Sequence, residues 1–393
     1  MLKINKKFGK TYNFRKRRNT KKKNKSKYLI KSFSFIFLSL IFLYMQIQFE
    51  DSKETKEIQE TKETKETKEI KEIKENLIHK IHIAINTDNK YVYPYIVFLT
   101  SLLDNRAEYT YYIIHVVCDN YFSKNNIDKI KTLVDNFGKN SSEVLFHNIG
   151  DDFRKATITI FGRATYYKIA LPSLLPDVDR IIYIDGDSLN LKDLTEMYNI
   201  KLNEGMYLSA ILDNVRMVKE IAELGIKINK YVNAGVLLMD LKTMREKSIE
   251  KILRDFIDTH FLKTVDQTAI NAMCNKNIQI MSYKYVVPPL SSYEELIKYN
   301  NGQESMYRVS ESELYQAYHD PTIIHFFGPY KLWNKNFNHF YRPYWWYYAK
   351  MSGFYNEILN HFRYDINTVE DLLKQIPSDG GLLKNKYKKS ELI

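Results

Sequence analysis

Apolar and polar positions along this chain fall into short blocks, strand-like apolar runs taking turns with longer amphipathic stretches. Ile81-His-Ile-Ala-Ile85 reads as a first strand, and residues 94–103 read as a helix with Pro94 in its first turn. Tyr112-Ile-Ile-His-Val-Val117 is a second strand, residues 123–136 a second helix capped by Ser123, and Val144-Leu-Phe146 a third strand. A further helix over 165–175 precedes the strand Arg180-Ile-Ile-Tyr-Ile184, and Thr322-Ile-Ile324 is a later apolar run. The alternation predicts an α/β fold with a largely parallel sheet. Ligands of open α/β sheets bind beyond the carboxyl ends of strands. The positions that call for chemistry are therefore Asn86-Thr87-Asp88, Asp185-Gly186-Asp187 and His325.

The first 76 residues follow a different pattern. Residues 1–27 hold ten Lys and three Arg with no Asp or Glu, so they carry most of the net charge of +12. The remainder is close to neutral, which gives the body no electrostatic reason to bind nucleic acid. Residues 28–49 are mainly apolar and long enough to cross a bilayer core at 1.5 Å per residue. A cleaved signal peptide is the rival reading; the long basic segment and the lack of an A-x-A-like site favour an anchor. The basic flank predicts a cytoplasmic N-terminus and a single-pass type II topology. Residues 53–75 repeat Lys-Glu-Thr or Lys-Glu-Ile with a period of three, which matches no coiled coil and reads as a spacer. The expected organisation is a basic tail (1–27), an anchor (28–49), a stem (50–76), a catalytic domain (77–340) and an aromatic, basic C-terminal extension (341–393). The two cysteines, Cys118 and Cys274, have no CxxC spacing and read as buried apolar thiols.

Asp185 and Asp187 are one residue apart, so in extended backbone they point the same way, and Gly186 between them leaves room for a ligand. Two hard oxygen donors suit Mg²⁺ or Mn²⁺, which keep positions open for phosphate oxygens. An acidic turn after a strand would look the same. His325 begins the segment His325-Phe-Phe-Gly-Pro-Tyr-Lys-Leu-Trp333, which offers an imidazole, a backbone N–H at Gly328 and the cation of Lys331. An imidazole beside two carboxylates tilts the metal towards Mn²⁺. Asn140-Ser141-Ser142 matches the N-glycosylation acceptor pattern, and the aromatic run Tyr341–Tyr348 reads as packing or as an acceptor platform.

From Ile81 to Trp333 the chain resembles glycosyltransferase family 8, retaining enzymes that act on UDP-sugars. The family includes bacterial lipopolysaccharide galactosyl- and glucosyltransferases and glycogenin. The likeness rests on Ile83-Ala-Ile-Asn-Thr-Asp88, on Ala164–Pro172 with Arg180–Asp187, on Asn233-Ala-Gly-Val-Leu-Leu-Met-Asp-Leu241, on Asp266-Gln267 and on the closing HxxGxxKxW motif, in family order. The resemblance implies a GT-A fold, Rossmann-like, with a mixed, mostly parallel sheet flanked by helices. It also implies that Asp185, Asp187 and His325 bind the metal, that Gly328 and Lys331 hold the diphosphate and that Asp88 contacts the uridine. Lys168, Asn233 and Ala234 would belong to the donor site, Asn233, Ala234, Asp266 and Gln267 would line the sugar and acceptor side, and Asp213, near the donor sugar, Asp266 and Gln267 are the candidates for catalysis. Lys168 stands where the family usually has Arg, and Lys90 where it often has Asn, so nucleotide and sugar fit are the departures; Lys lacks the planar fork of Arg.

The implied activity is transfer of a hexose, galactose or glucose, from a UDP-sugar to a glycan, glycolipid or glycoprotein, with Mn²⁺ (or Mg²⁺) at the leaving UDP. Front-face attack and double displacement both remain open. The alternative is a degenerate relative that binds sugar nucleotide or a partner without turnover, against which the intact Asp185, Asp187, His325 and Lys331 argue. A nucleotidyltransferase would carry an early Gly-rich phosphate loop, and residues 86–90 contain no Gly. Membrane association through 28–49 places the body in the Golgi or ER lumen of a eukaryote, where sugar nucleotides are supplied, or at the inner membrane of a bacterium.

Overall fold

The computed structural model describes residues 78–383, apart from 139, 160–161, 214–217, 291, 304–307 and 330; before them it describes only 39, 41–46 and 48. The basic tail, the repeat over 53–75 and most of the expected anchor lie outside the described residues. Residues 39, 41–46 and 48 are helical, and among the described residues no helix is long and apolar enough to cross a membrane. By contacts the chain divides into residues 1–77 and residues 78–393.

Within the second unit the described strands form two sheets. The larger contains β1 (His79–Asn86), β2 (Thr110–Cys118), β3 (Ser142–Asn148), β4 (Arg180–Ile184), β6 (Leu208–Ala210), β7 (Val236–Asp240) and β8 (Ile278–Ile280), in the order β3-β2-β1-β4-β7-β6-β8. The pairs β1–β2, β2–β3, β1–β4 and β6–β8 are parallel, and β7 runs against both β4 and β6. The smaller contains β5 (Ser188–Asn190), β9 (Val286–Val287) and β10 (Ile323–His325), with β10 in the middle, antiparallel to β5 and parallel to β9. The mixed, mostly parallel α/β architecture matches the sequence expectation.

Period-two alternation sends the side chains of each strand to opposite faces. Ile81, Ile83 and Ile85 of β1 join one core with α1 (Val92–Asp104) and α2 (Lys124–Phe137), while Ala84 faces a second core. Ser123 caps α2, its hydroxyl accepting from the Asn126 N–H, as the sequence predicts.

The expected helix over 165–175 is a correction. Residues Ala164–Ala170 form a 3₁₀ helix, followed by one α-turn over Leu171–Leu174. A continuous α-helix would need the missing N–H of Pro172 to bond the carbonyl of Lys168. The Leu171 N–H takes that carbonyl instead, and the tighter turn results.

Described residues of the expected C-terminal extension pack on the body. Helix α4 (Arg342–Met351) buries Tyr344, Trp345, Trp346 and Tyr348 in the same core as α1, and Trp345 stands 5.5 Å, ring centre to ring centre, from Trp333. The amide of Asn105, just past α1, donates to the Tyr348 hydroxyl at 2.7 Å. The aromatic run is therefore packing, as the first of its two readings held. Cys118 and Cys274 are free and buried.

Candidate functional site

Two sheet ends meet at Asp187. β4 delivers Asp185 to the carboxyl edge of the main sheet, and the chain turns at once into β5 of the small sheet. There Ser188 pairs with His325, and the Phe326 N–H donates to the Asp187 carbonyl at 2.8 Å. His325 thus ends β10 in a second sheet rather than following a strand of the first. One nitrogen of His325 and one oxygen each of Asp185 and Asp187 all lie within 4.8 Å of one another. Nε2 of His325 is 3.2 Å from Asp187 Oδ1 and 3.8 Å from Asp185 Oδ2.

These three groups fit a divalent ion. Two carboxylate oxygens and an imidazole nitrogen already converge, and they are the mixed hard and borderline donors that suit Mn²⁺. His325 is 2 % exposed, and its Nδ1 has no hydrogen-bond partner. The ring is therefore oriented by its packing and by what Nε2 faces. The ammonium of Lys331 contacts the second oxygen of Asp187 and donates to the Phe326 carbonyl at 2.8 Å. Burial works to raise the Asp187 pKa, but Lys331 and His325 overcome it and hold the carboxyl well below the usual carboxylate range.

Three glycines make this convergence possible. Asp185 donates its N–H to the Gly235 carbonyl at 2.7 Å, because β4 and β7 run antiparallel with Ile184 opposite Val236. A Cβ at Gly235 would lie 1.9 Å from His325 Cε1 and 2.7 Å from Asp185 Oδ2. Gly186 has no left-handed φ; its side chain is excluded because a Cβ would stand 2.5 Å from the Tyr95 ring. Gly328, at φ +88°, occupies the left-handed region, and a Cβ there would meet nothing within 4 Å, so its constraint is conformational.

Lys168 is 1 % exposed. Its Nζ donates to the Ala234 carbonyl at 2.8 Å and lies 3.5 Å from Asp185 Oδ1 and 2.8 Å from Asp266 Oδ2. The Asp266 contact is an ion pair without good hydrogen-bond direction. Its ammonium also stands over the Tyr183 ring at 4.2 Å. Burial disfavours the charged ammonium, yet Asp185 and Asp266 outweigh it and raise the Lys168 pKa. Burial lifts the Asp266 carboxyl to about 6 in spite of Lys168, with Asp185 adding to the rise. The ammonium faces three oxygens, donating to the Ala234 carbonyl and Asp185 and pairing by charge with Asp266. Lys168 therefore braces Asp185 and Asp266 from within the site.

Asp213 is a second hub. Its Oδ2 accepts from Asn233 Nδ2 at 3.1 Å and from Gln267 Nε2 at 3.0 Å. The other end of the Gln267 amide accepts the Ala234 N–H at 3.0 Å. Asp266 and Gln267 open α3 (Val265–Cys274), whose first residue, Val265, has φ +43°. That value is rare for a β-branched residue and marks local strain beside the site. Asp88 spends Oδ1 on its own turn, accepting from the N–H groups of Lys90 at 2.8 Å and Tyr91 at 3.0 Å.

A cavity of about 630 Å³ is lined by every residue the sequence analysis assigned to the site: Asp88, Lys168, Asp185, Asp187, Asp213, Asn233, Ala234, Asp266, Gln267, His325, Gly328 and Lys331. Lys90, exposed on the turn before α1, is not among its lining residues. Sequence reasoning missed three tyrosines and Gly235. The Tyr183 hydroxyl donates to Asp185 Oδ1. Tyr95 packs on Gly186, and Tyr91 lines the cavity edge-on to Trp333 at 6.1 Å. Tyr183 alone left a signal, lying two residues before Asp185 on the same face of the strand.

Gly235→Ala should displace His325 and Asp185 by more than an ångström. Misplacement on that scale costs about 10²-fold in activity. The far-UV circular dichroism should be unchanged. Wild-type turnover in this variant would show that the ligand cluster does not depend on that gap.

Residues 82–337 match the family model described as glycosyl transferase family 8. General stress protein A of Bacillus subtilis is 27 % identical over 197 residues, 48 % of this chain and 66 % of that protein. A Haemophilus influenzae protein is 28 % identical over 218 residues, 53 % of this chain and 62 % of its own length. The chain thus spans slightly less than two thirds of these curated relatives. Among solved structures, the galactosyltransferase LgtC in complex with donor and acceptor sugar analogues superposes with a TM-score of 0.59. That likeness covers 68 % of this chain and 95 % of LgtC at 20 % identity, and it establishes the GT-A fold. With the family model running from β1 past the last of the site residues, the chain belongs to glycosyl transferase family 8.

Proposed function

We propose that the protein is a retaining glycosyltransferase that moves a hexose, galactose or glucose, from a UDP-sugar to a glycan, glycolipid or glycoprotein. One observation carries this reading. The Asp185, Asp187 and His325 cluster forms part of the wall of a cavity that also holds Lys331, Gly328 and Asp88. Asp185, Asp187 and His325 would hold Mn²⁺, or Mg²⁺ in its place. When bound, the ion supplies Lewis-acid neutralisation of the charge that develops on the departing diphosphate.

The chain's own groups divide the remaining work. Lys331, fixed between Asp187 and the Phe326 carbonyl, sets a cation where diphosphate charge would grow. Gly328 leaves its backbone open to a phosphate oxygen. Asp88 keeps Oδ2 for the uridine after Oδ1 has closed the turn, and Tyr91 offers a ring beside it. Asn233, Asp213 and Gln267 orient one another on the sugar side. Both ends of the Gln267 amide are engaged, Asp213 accepts two N–H groups and Asp266 faces the Lys168 ammonium. Groups tied in this way are poor nucleophiles, which supports front-face attack by the acceptor beside the leaving phosphate over double displacement.

The apolar run 28–49 supports a type II anchor, with the body in the Golgi or ER lumen of a eukaryote or at the inner membrane of a bacterium. In sealed eukaryotic membranes the body should survive added protease until detergent is present. Digestion without detergent would sink the lumenal placement.

The activity is tested with the full chain in detergent, a panel of UDP-sugars and Mn²⁺. UDP release should occur with UDP-galactose or UDP-glucose and stop with EDTA, and Asp187→Ala should abolish it without loss of fold. Absence of binding and of hydrolysis for every UDP-sugar would overturn the proposal.

A further inference from the structure

Three histidines that the active site does not use lie on adjacent strands of the main sheet. His82 is on β1, His115 on β2 and His147 on the edge strand β3. The parallel registers set Ala84 opposite His115 and Val117 opposite His147, so each histidine lies two residues further along than its neighbour. All three side chains therefore emerge on one face of the sheet. His115 is 3 % exposed, and the outer two are half-buried.

The rings join end to end. His82 Nδ1 is 2.9 Å from His115 Nε2, and His115 Nδ1 is 2.9 Å from His147 Nε2. Ring centres are 5.2 Å and 5.1 Å apart, with interplanar angles of 19° and 31°. A ring centre lies about 1.1 Å from its nitrogens, so these separations are those of nearly in-line N–H···N bonds, too long for face-to-face stacking.

We propose that His82, His115 and His147 form an acid-sensitive tie across the outer half of the main sheet, closed while the three imidazoles hold at most one added proton and opened by the second.

The proton count gives the reason. Two junctions use four of the six ring nitrogens and hold one proton each. A neutral set has one further N–H, at one end of the row. One added proton occupies the nitrogen at the other end. The next has only a junction nitrogen left, and there it sets N–H against H–N and breaks the bond.

Few charges offset this. Glu143 on β3 favours a charged His82 and Lys80 on β1 opposes it; His115 is acted on by its two histidine neighbours. Burial is the largest influence on all three, and it pushes His115 down to about 3. A group whose pKa is depressed on folding contributes its full stability above the unfolded pKa, here 6.5, and loses it as pH falls below. The unfolded chain takes up three protons on these residues and the folded chain at most one. The tie therefore adds an uptake of about two protons on unfolding near pH 5, and the unfolding constant rises about a hundredfold per pH unit on its account. The strands it joins include β1, which runs directly into Asn86, Thr87 and Asp88 at the cavity.

The test needs no activity. Urea unfolding of the full chain in detergent, followed by tryptophan fluorescence between pH 7.5 and 5, is compared with the His82→Gln/His115→Gln/His147→Gln variant. The unfolding constant of the wild type should climb towards about a hundredfold more per pH unit near pH 5 than that of the variant. Equal pH slopes would overturn the proposal. Should the triple variant not fold, His147→Gln at the half-buried edge leaves one junction and a net uptake of about one proton. Its slope should then fall about tenfold per pH unit below that of the wild type, and an unchanged slope is contrary. Zn²⁺ that stabilises the wild type but not His147→Gln would mean that the nitrogens take a metal in place of the shared proton, which also overturns it.

Discussion

Two carboxylates that must stand side by side impose the main constraint on this protein. Unit charges about 4 Å apart repel by about 4 kcal/mol at an effective dielectric constant of about 20. Asp185 and Asp187 meet that constraint with a cation each. Lys168 lies 3.5 Å from Asp185, and Lys331 contacts Asp187. The Tyr183 hydroxyl and the His325 imidazole complete the surroundings. A cluster balanced in this way can exist before any ion arrives and still present oxygens to one.

That balance explains why the fold needs two sheets. The main sheet fixes Asp185 through β4 and brings Gly235 against it through β7. The small sheet carries His325 and, through β5 and β10, ties it to the residue after Asp187. The gap that admits His325 exists only because Gly235 has no side chain. Lys168 reaches its position from a 3₁₀ helix, its carbonyl taken by the Leu171 N–H because Pro172 has none to offer. Backbone rules several residues away thereby set the electrostatics of the site.

Some of this was legible in the sequence. The run 180–184 coincides with β4, the α/β alternation and the Ser123 cap followed from periodicity and cap chemistry, and the residues named from motif order line one cavity. What stayed hidden depends on register between distant strands. Gly235 lies inside a quoted motif, yet only the antiparallel pairing of β4 with β7 shows which side chains press on it. Nothing local announces that Lys168 faces the Ala234 carbonyl, Asp185 and Asp266 at once. The histidines on β1, β2 and β3 are 33 and 32 residues apart in sequence and meet only through parallel pairing. The C-terminal aromatic run has the composition of a surface platform and the burial of a core, a difference settled by its packing on α1.

The central claim is that Asp185, Asp187 and His325 form one divalent-ion site that acts together with a nucleoside diphosphate. Electron paramagnetic resonance of Mn²⁺ titrated into the full chain, with and without UDP, measures this directly. One Mn²⁺ per chain, bound more tightly when UDP is present and lost in Asp187→Ala, is the predicted result. Mn²⁺ binding that is equal in the wild type and Asp187→Ala, or that ignores UDP, would contradict the account.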